Sequence, residues 1–174
     1  MPTKLYLSPT ESLTVREDTP EALEVEATYG PGGSAPPSHF HPAQDEHFEV
    51  LEGELTARVE GVERTLRTGD TLDIPRGVVH QMWNASGEPA RVLWRTSPAG
   101  RTLEWFSTLD ALQREGRVDA KGRPGPLALA FYLNEYKDVF RLAIGPGPLV
   151  PLTLSALAPL GRLRGYRVRD PARA

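Results

Sequence analysis

The strongest constraint on the fold is an alternation of apolar and polar residues that recurs through the first hundred residues. It is clearest in ALEVEATY (22–29) and ELTARVEG (54–61), and ARVLWRT (90–96) is rich in residues that favour strands. A period of two places the apolar residues on one face of a strand. Turn sequences such as LEGE, RTGD and PRGV separate these stretches at intervals that suit hairpins and are too short for crossover helices. We therefore predict a mainly β fold, a small antiparallel barrel or sandwich.

The remainder of the chain has a helical pattern instead. Leu103, Phe106, Leu109 and Leu112 recur at three-residue spacing. A second helix is predicted over 127–144, with one face formed by Leu129, Leu133, Tyr136, Phe140 and Ile144. A shorter apolar helix is predicted within 148–166. The charge also divides: residues 1–120 hold 11 Lys and Arg against 20 Asp and Glu, and residues 121–174 hold 9 against 3. We predict a β-barrel domain at 1–100 and a C-terminal helical extension at 101–174.

Composition excludes several classes of protein. The chain has no cysteine, so it has neither disulfides nor thiolate metal ligands, which fits a cytoplasmic protein. The first 30 residues lack the apolar core of a secretion signal. A net charge of -3 gives no general attraction to nucleic acid, and we find no helix-turn-helix before the barrel. We expect a small-molecule partner and no nucleic acid.

One uncharged run, residues 142–161, is long enough by count to suggest a transmembrane helix. Pro146, Pro148 and Pro151 interrupt it, so a continuous helix would cover only about 15 Å of a ~30 Å bilayer core. We predict no transmembrane segment. We expect this helix to pack on the barrel or on a partner subunit, as in a homodimer. The alternative is an interfacial helix whose following arginines contact anionic lipid.

Strand parity selects candidate site residues in HFHPAQDEHFEVLEG (39–53). His39 and His41 share one strand face. If Phe48 faces the interior, Glu46 does too, and His47 faces outward. His80 lies about 40 residues further on, in a second predicted strand. Three imidazoles and one carboxylate form a set suited to a divalent transition metal, namely Fe, Mn, Ni, Co, Cu or Zn.

Two ordered motifs carry a resemblance to a known family. The first reads Gly33, five residues, His39, Phe40, His41, four residues, Glu46, six residues, Gly53. The second reads Gly69, five residues, Pro75, Arg76, Gly77, two residues, His80, three residues, Asn84. Both patterns resemble those of the cupin superfamily, and the pair is more specific than either motif alone. The resemblance implies a single jelly-roll barrel, a metal held by His39, His41, Glu46 and His80, and a substrate that enters through the barrel mouth.

The resemblance leaves the activity open. A metalloenzyme of the dioxygenase or isomerase type would use open metal positions. A non-catalytic cupin would bind or sense a small ligand, and a structural cupin would use its C-terminal helices for oligomerisation. The C-terminal extension could be a lid, a dimer interface or a partner site. We predict Phe48 and Met82 as substrate-pocket residues, Met82 because it shares a strand face with His80. Aromatic and sulfur side chains in a small barrel more often belong to the core. Asn84 is predicted to bond a neighbouring loop backbone, and the motif glycines to serve turns.

Overall fold

Two antiparallel sheets enclose a common core in the computed structural model, which describes residues 4–143 and 157–168. The first sheet has the strand order β1 (Lys4–Ser8), β2 (Glu11–Asp18), β3 (Leu23–Tyr29), β10 (Ala90–Ser97), β5 (Asp45–Glu52), β8 (Thr71–Ile74). The second has the order β11 (Arg141–Leu142), β4 (His39–Phe40), β9 (His80–Trp83), β6 (Glu54–Val59), β7 (Val62–Arg67). Two helices follow β10, α1 (Thr102–Arg114) and α2 (Pro126–Glu135), and residues 157–163 are also helical. The predicted mainly β fold with C-terminal helices is confirmed.

The apolar residues of the alternating stretches face the space between the sheets. In β5, Glu46, Phe48 and Val50 are buried, whereas His47 and Glu49 are only partly buried. The same alternation holds along all seven residues of β3. Parity therefore placed each side chain of β5 on its correct face, because one face of the strand must be removed from water.

Gly53 occupies a turn that other residues would not fit. Its φ is +79°, in the left-handed region that favours glycine. A Cβ atom here would lie 2.5 Å from the carbonyl oxygen of Pro89. The glycine thus lets the turn between β5 and β6 lie directly against the start of β10.

The first helix of the extension packs on the edge strand of the first sheet. The Tyr6 backbone N–H donates to Asp110 Oδ1 at 2.8 Å, and Gln113 Nε2 donates to the Leu7 carbonyl at 3.0 Å. The ring of Phe106 lies 5.1 Å from that of Trp94 in β10. Strand and helix residues consequently belong to one hydrophobic core.

The predicted helix over 127–144 is wrong in its second half. Helix α2 ends at Glu135, and the chain then returns to the second sheet, where Arg141 and Leu142 pair with Phe40 and His39. The unpaired edge of β4 offers hydrogen-bond partners, and Val139 becomes fully buried there. These long-range contacts outweigh the helical periodicity. Ile144 lies outside the described residues.

The last described segment packs against α2. Ala158 is buried, and Gly161 lies so close to Phe131 that a Cβ atom would be 2.7 Å from the phenylalanine Cβ. The Tyr166 ring stacks on Phe131 at 6.2 Å. Residues 148–156 of the predicted third helix lie outside the described residues. Among the described residues, no helix combines the length and the apolar character needed to cross a bilayer.

Candidate metal centre

Three imidazoles converge at one end of the second sheet. His39 in β4 is paired directly with His80 in β9, and His41 follows β4 by one residue. The ring centroids are 4.4 Å apart for His39 and His80 and 5.4 Å apart for the other two pairs. One nitrogen from each ring lies within 4.8 Å of the others. His41 and His80 are 6% and 2% exposed, so this is an interior cluster.

The Nδ1 atom of each ring is held by a backbone carbonyl. His39 Nδ1 lies 3.0 Å from the Pro37 oxygen, His41 Nδ1 lies 2.6 Å from the Val139 oxygen, and His80 Nδ1 lies 3.0 Å from the Val78 oxygen. Since a carbonyl can only accept, each Nδ1 must carry the proton. In the neutral form each Nε2 therefore keeps a free lone pair, the arrangement of a metal-binding histidine supported by an outer partner.

The opposite sheet contributes the carboxylate of Glu46. Its Oε1 lies 3.3 Å from His41 Nε2, and its Oε2 lies 3.0 Å from His80 Nε2. The Trp94 indole N–H donates to Oε1 at 3.0 Å. Glu46 itself is 3% exposed. A buried carboxylate is thus held by an indole and faces two imidazole nitrogens.

The electrostatics of the cluster follow from burial and mutual contact. Burial, together with the neighbouring His80 and His41, lowers the pKa of His39 to about 3. Burial also lowers the pKa of His41, although Glu46 opposes the shift. Burial opposes the charged forms of Glu46 and His80 too, but their mutual contact outweighs it. That contact lowers the pKa of Glu46 and raises that of His80.

The donor set fits a transition metal. The buried His41 Nε2 and Glu46 Oε2 make no well-aligned hydrogen bond within residues 4–143 and 157–168. Leaving such atoms without partners is costly unless something else satisfies them. A cation shared by imidazole nitrogens and a carboxylate would do so, and this mixed set is the kind that first-row metals prefer.

The remaining residues singled out from the sequence lie outside the donor set. His47 faces outward as predicted, with its Nδ1 2.6 Å from Asp73 Oδ1. Asn84 is buried and donates to the carbonyls of Tyr29 and Glu88, which confirms its bonds to neighbouring backbone. Phe48 and Met82 are 1% and 8% exposed and belong to the core. Their role as pocket residues stays a prediction.

Sequence reasoning missed three contributors. The bond from the Trp94 indole to Glu46 was not foreseen from the sequence. Val139 was not singled out, and Phe140, whose ring stacks on His39 at 4.6 Å, was placed on a helix face. The pairing of β11 with β4 brings these last two to the site, and no local pattern signals that pairing.

The barrel segment resembles a known family of domains. Residues 25–95 match the sequence model of the family described as the cupin domain. The described cluster lies within or beside that segment, and the two-sheet architecture agrees with it. This segment of the chain is thus similar to a cupin domain.

Similar proteins span several activities. The chain is 32% identical over 96 residues to the tetracenomycin polyketide synthase protein TcmJ of Streptomyces glaucescens, covering 55% of this chain and 58% of that protein. It is 39% identical over 57 residues to an oxidoreductase of Arthrobotrys oligospora, covering 32% of this chain and 22% of that one. The chain thus spans less than two thirds of either relative.

Two solved structures support the fold. KdgF from Halomonas superposes with a TM-score of 0.53 at 21% identity, covering 58% of this chain and 92% of KdgF. An RmlC-like cupin from Shewanella frigidimarina gives the same TM-score at 20% identity, covering 59% and 89% of the two chains. At these identities the likeness concerns the fold alone.

Proposed function

We propose that this protein is a metal-binding cupin in which His39, His41, Glu46 and His80 hold one divalent transition metal. The observation that carries the proposal is the uniform arrangement of the three imidazoles. Each has its Nδ1 fixed by a backbone carbonyl, which leaves Nε2 as the nitrogen for a metal, and the Nε2 atoms of His41 and His80 lie beside a buried carboxylate. Fe, Mn, Ni, Co, Cu and Zn all suit such a set.

We further propose an oxidoreductase of the dioxygenase type that acts on a small molecule. A metal with open positions supplies a site for oxygen or for a chelating substrate oxygen. The chain's own residues would orient the centre: Trp94 holds Glu46, and backbone carbonyls hold the imidazoles. Phe48 and Met82 are the proposed apolar wall against which a substrate would pack. The similarity to the oxidoreductase of Arthrobotrys oligospora supports this choice of reaction class.

A second candidate is a non-catalytic cupin that binds or senses a small ligand. The near-complete burial of His41, Glu46 and His80 favours it, because a closed centre retains an ion well but admits substrate poorly. Oxygen consumption by the metal-loaded protein against a panel of small phenols, diketones and thiols separates the two. Turnover of any of them supports the enzyme, and its absence across the panel supports the binding protein.

Elemental analysis of the purified protein tests the metal site itself. We expect about one transition metal per chain in the wild type and a sharp loss in His80→Ala, because one of four ligands is removed. His47→Ala is the matched control, since His47 faces outward to Asp73 and should leave the metal content unchanged. A wild type that is metal-free and also fails to bind added Fe, Mn, Ni or Zn would contradict the proposal.

The cellular location and the oligomeric state of the protein are also proposals. A cytoplasmic protein is consistent with the lack of cysteine. A homodimer is consistent with the exposed leucines at 157, 160 and 163, which are 41%, 49% and 83% exposed. Sedimentation of the full chain measures the oligomeric state.

A further inference from the structure

The C-terminal extension reaches the metal centre through residues 136–143, which we call the strap. At its start Tyr136 is 1% exposed, and its hydroxyl lies 2.8 Å from Thr108 Oγ1 in α1. Arg101 donates to the Glu135 carbonyl at 3.1 Å, and its guanidinium lies 4.8 Å from the Tyr136 ring centroid. The strap is therefore firmly anchored where it leaves α2.

The middle of the strap contacts two of the candidate ligands. Val139 is 1% exposed, and its carbonyl accepts from His41 Nδ1 at 2.6 Å. The next residue, Phe140, lays its ring parallel to His39, with centroids 4.6 Å apart and planes at 26°. The same ring lies 6.1 Å from that of His41. One segment thus orients one imidazole and covers a second.

The end of the strap is held by few interactions. Its pairing with β4 comprises two residue pairs, Arg141 with Phe40 and Leu142 with His39. One further hydrogen bond joins the Ala143 N–H to the Ser38 carbonyl at 2.8 Å. Phe140, Arg141 and Leu142 all remain at least partly exposed. A short edge pairing with few buried contacts opens at a much lower free energy than the whole fold.

We propose that Phe140 determines access to the metal centre: its ring closes the His39 side, and small molecules reach the imidazoles when residues 140–143 lift from β4. This inference rests on the proposed metal site and extends it, because it assigns to the C-terminal extension a role in admitting substrate. Val139 stays in place during the opening, so His41 keeps its orientation. Phe140 is an access-determining residue and takes no part in bond chemistry.

Modification of the imidazoles in metal-free protein tests the proposal directly. Diethylpyrocarbonate acylates neutral imidazole nitrogens, and peptide mass spectrometry follows each histidine separately. His47, whose side chain is 41% exposed, serves as the internal reference. We expect Phe140→Ala to raise the rate at His39 relative to His47 at least about threefold, the scale of losing one aromatic contact. Phe40→Ala is the matched control, because neighbouring strand positions point to opposite faces.

A second variant leaves the Phe140 ring intact. Phe40 and Arg141 are direct strand partners and the chain has no other cysteine, so Phe40→Cys with Arg141→Cys allows a single disulfide across the strap. We expect the oxidised protein to be modified more slowly at His39 than the same protein reduced and alkylated. Equal rates in both forms, together with a Phe140→Ala rate equal to wild type, would overturn the proposal.

Cobalt-loaded protein separates the access role from the metal site. In stopped-flow mixing with azide, Phe140→Ala should bind the anion faster than wild type and the oxidised double-cysteine variant more slowly. If the wild type binds no cobalt while the His39 modification rates change as expected, the metal proposal fails and the access role stands. If cobalt binds but azide rates are equal in all variants, the access role fails and the metal site stands.

Discussion

Replacing Trp94 with phenylalanine should weaken metal binding without disturbing the barrel. The indole N–H donates to Glu46 Oε1 at 3.0 Å, and its ring lies between those of Phe48, stacked at 5.4 Å, and Phe106, tilted at 5.1 Å. Phenylalanine keeps an aromatic ring in that stack and removes the donor. The change therefore isolates the hydrogen bond to the carboxylate.

The structure sets the size of the effect. A hydrogen bond to a charged group contributes about 1.5–3 kcal/mol, and about 1.4 kcal/mol corresponds to a tenfold change in affinity. Glu46 is 3% exposed, so water cannot readily replace the lost donor. We expect Trp94→Phe to reduce metal affinity about tenfold to hundredfold, the range typical of an outer-sphere partner.

The assay is competition for Co²⁺ or Zn²⁺ against a chromogenic chelator, with wild type and variant side by side. Trp83→Phe is the matched control, since the Trp83 ring lies under the Arg58 guanidinium at 5.2 Å and not at the centre. Glu46→Gln should lose most of the affinity. If Glu46→Gln loses affinity but Trp94→Phe binds as tightly as wild type, the indole bond has no role in positioning the ligand.

Two further predictions concern stability. In urea unfolding, Gly53→Ala should destabilise the protein by at least about 2 kcal/mol more than Gly61→Ala. Both positions have positive φ, but only at position 53 would the added Cβ meet a carbonyl oxygen, at 2.5 Å. Equal losses would show that the turn shifts freely. Burial raises the pKa of Glu11 to about 7, although a bond to Tyr29 opposes it. The native state then binds more protons than the unfolded chain between about pH 4.5 and 7. The stability that the protonated Glu11 carboxyl contributes is therefore fully present below pH 4.5 and is lost as pH rises towards 7. In urea unfolding at pH 8, Glu11→Gln should therefore have a free energy of unfolding about 1–2 kcal/mol higher than wild type, with little difference at pH 4. No gain at pH 8 would mean that the carboxyl is well solvated.

Much of the barrel could be predicted from the sequence because strand alternation and turn spacing depend on residues close together in the chain. Alternation with a period of two identifies the strand face that must leave water, and this placed Glu46 inward and His47 outward. Closely spaced turns required antiparallel neighbours, which the register of β5 with β10 and β8 confirms. The two motifs identified the three histidines that meet. The division at residue 100 stays a prediction.

The environment of the centre was decided by the tertiary structure alone. Val139 lies 98 residues from the His41 ring that it orients, and Trp94 lies 48 residues from Glu46. The segment around Phe140 has a helical pattern, yet it leads into an edge strand, because the unpaired backbone of β4 and the His39 ring offer contacts that a continued helix would forgo. Periodicity reports which face of an element is buried. Only the folded chain determines which distant group then lies against it, since that contact depends on the path of the backbone between them.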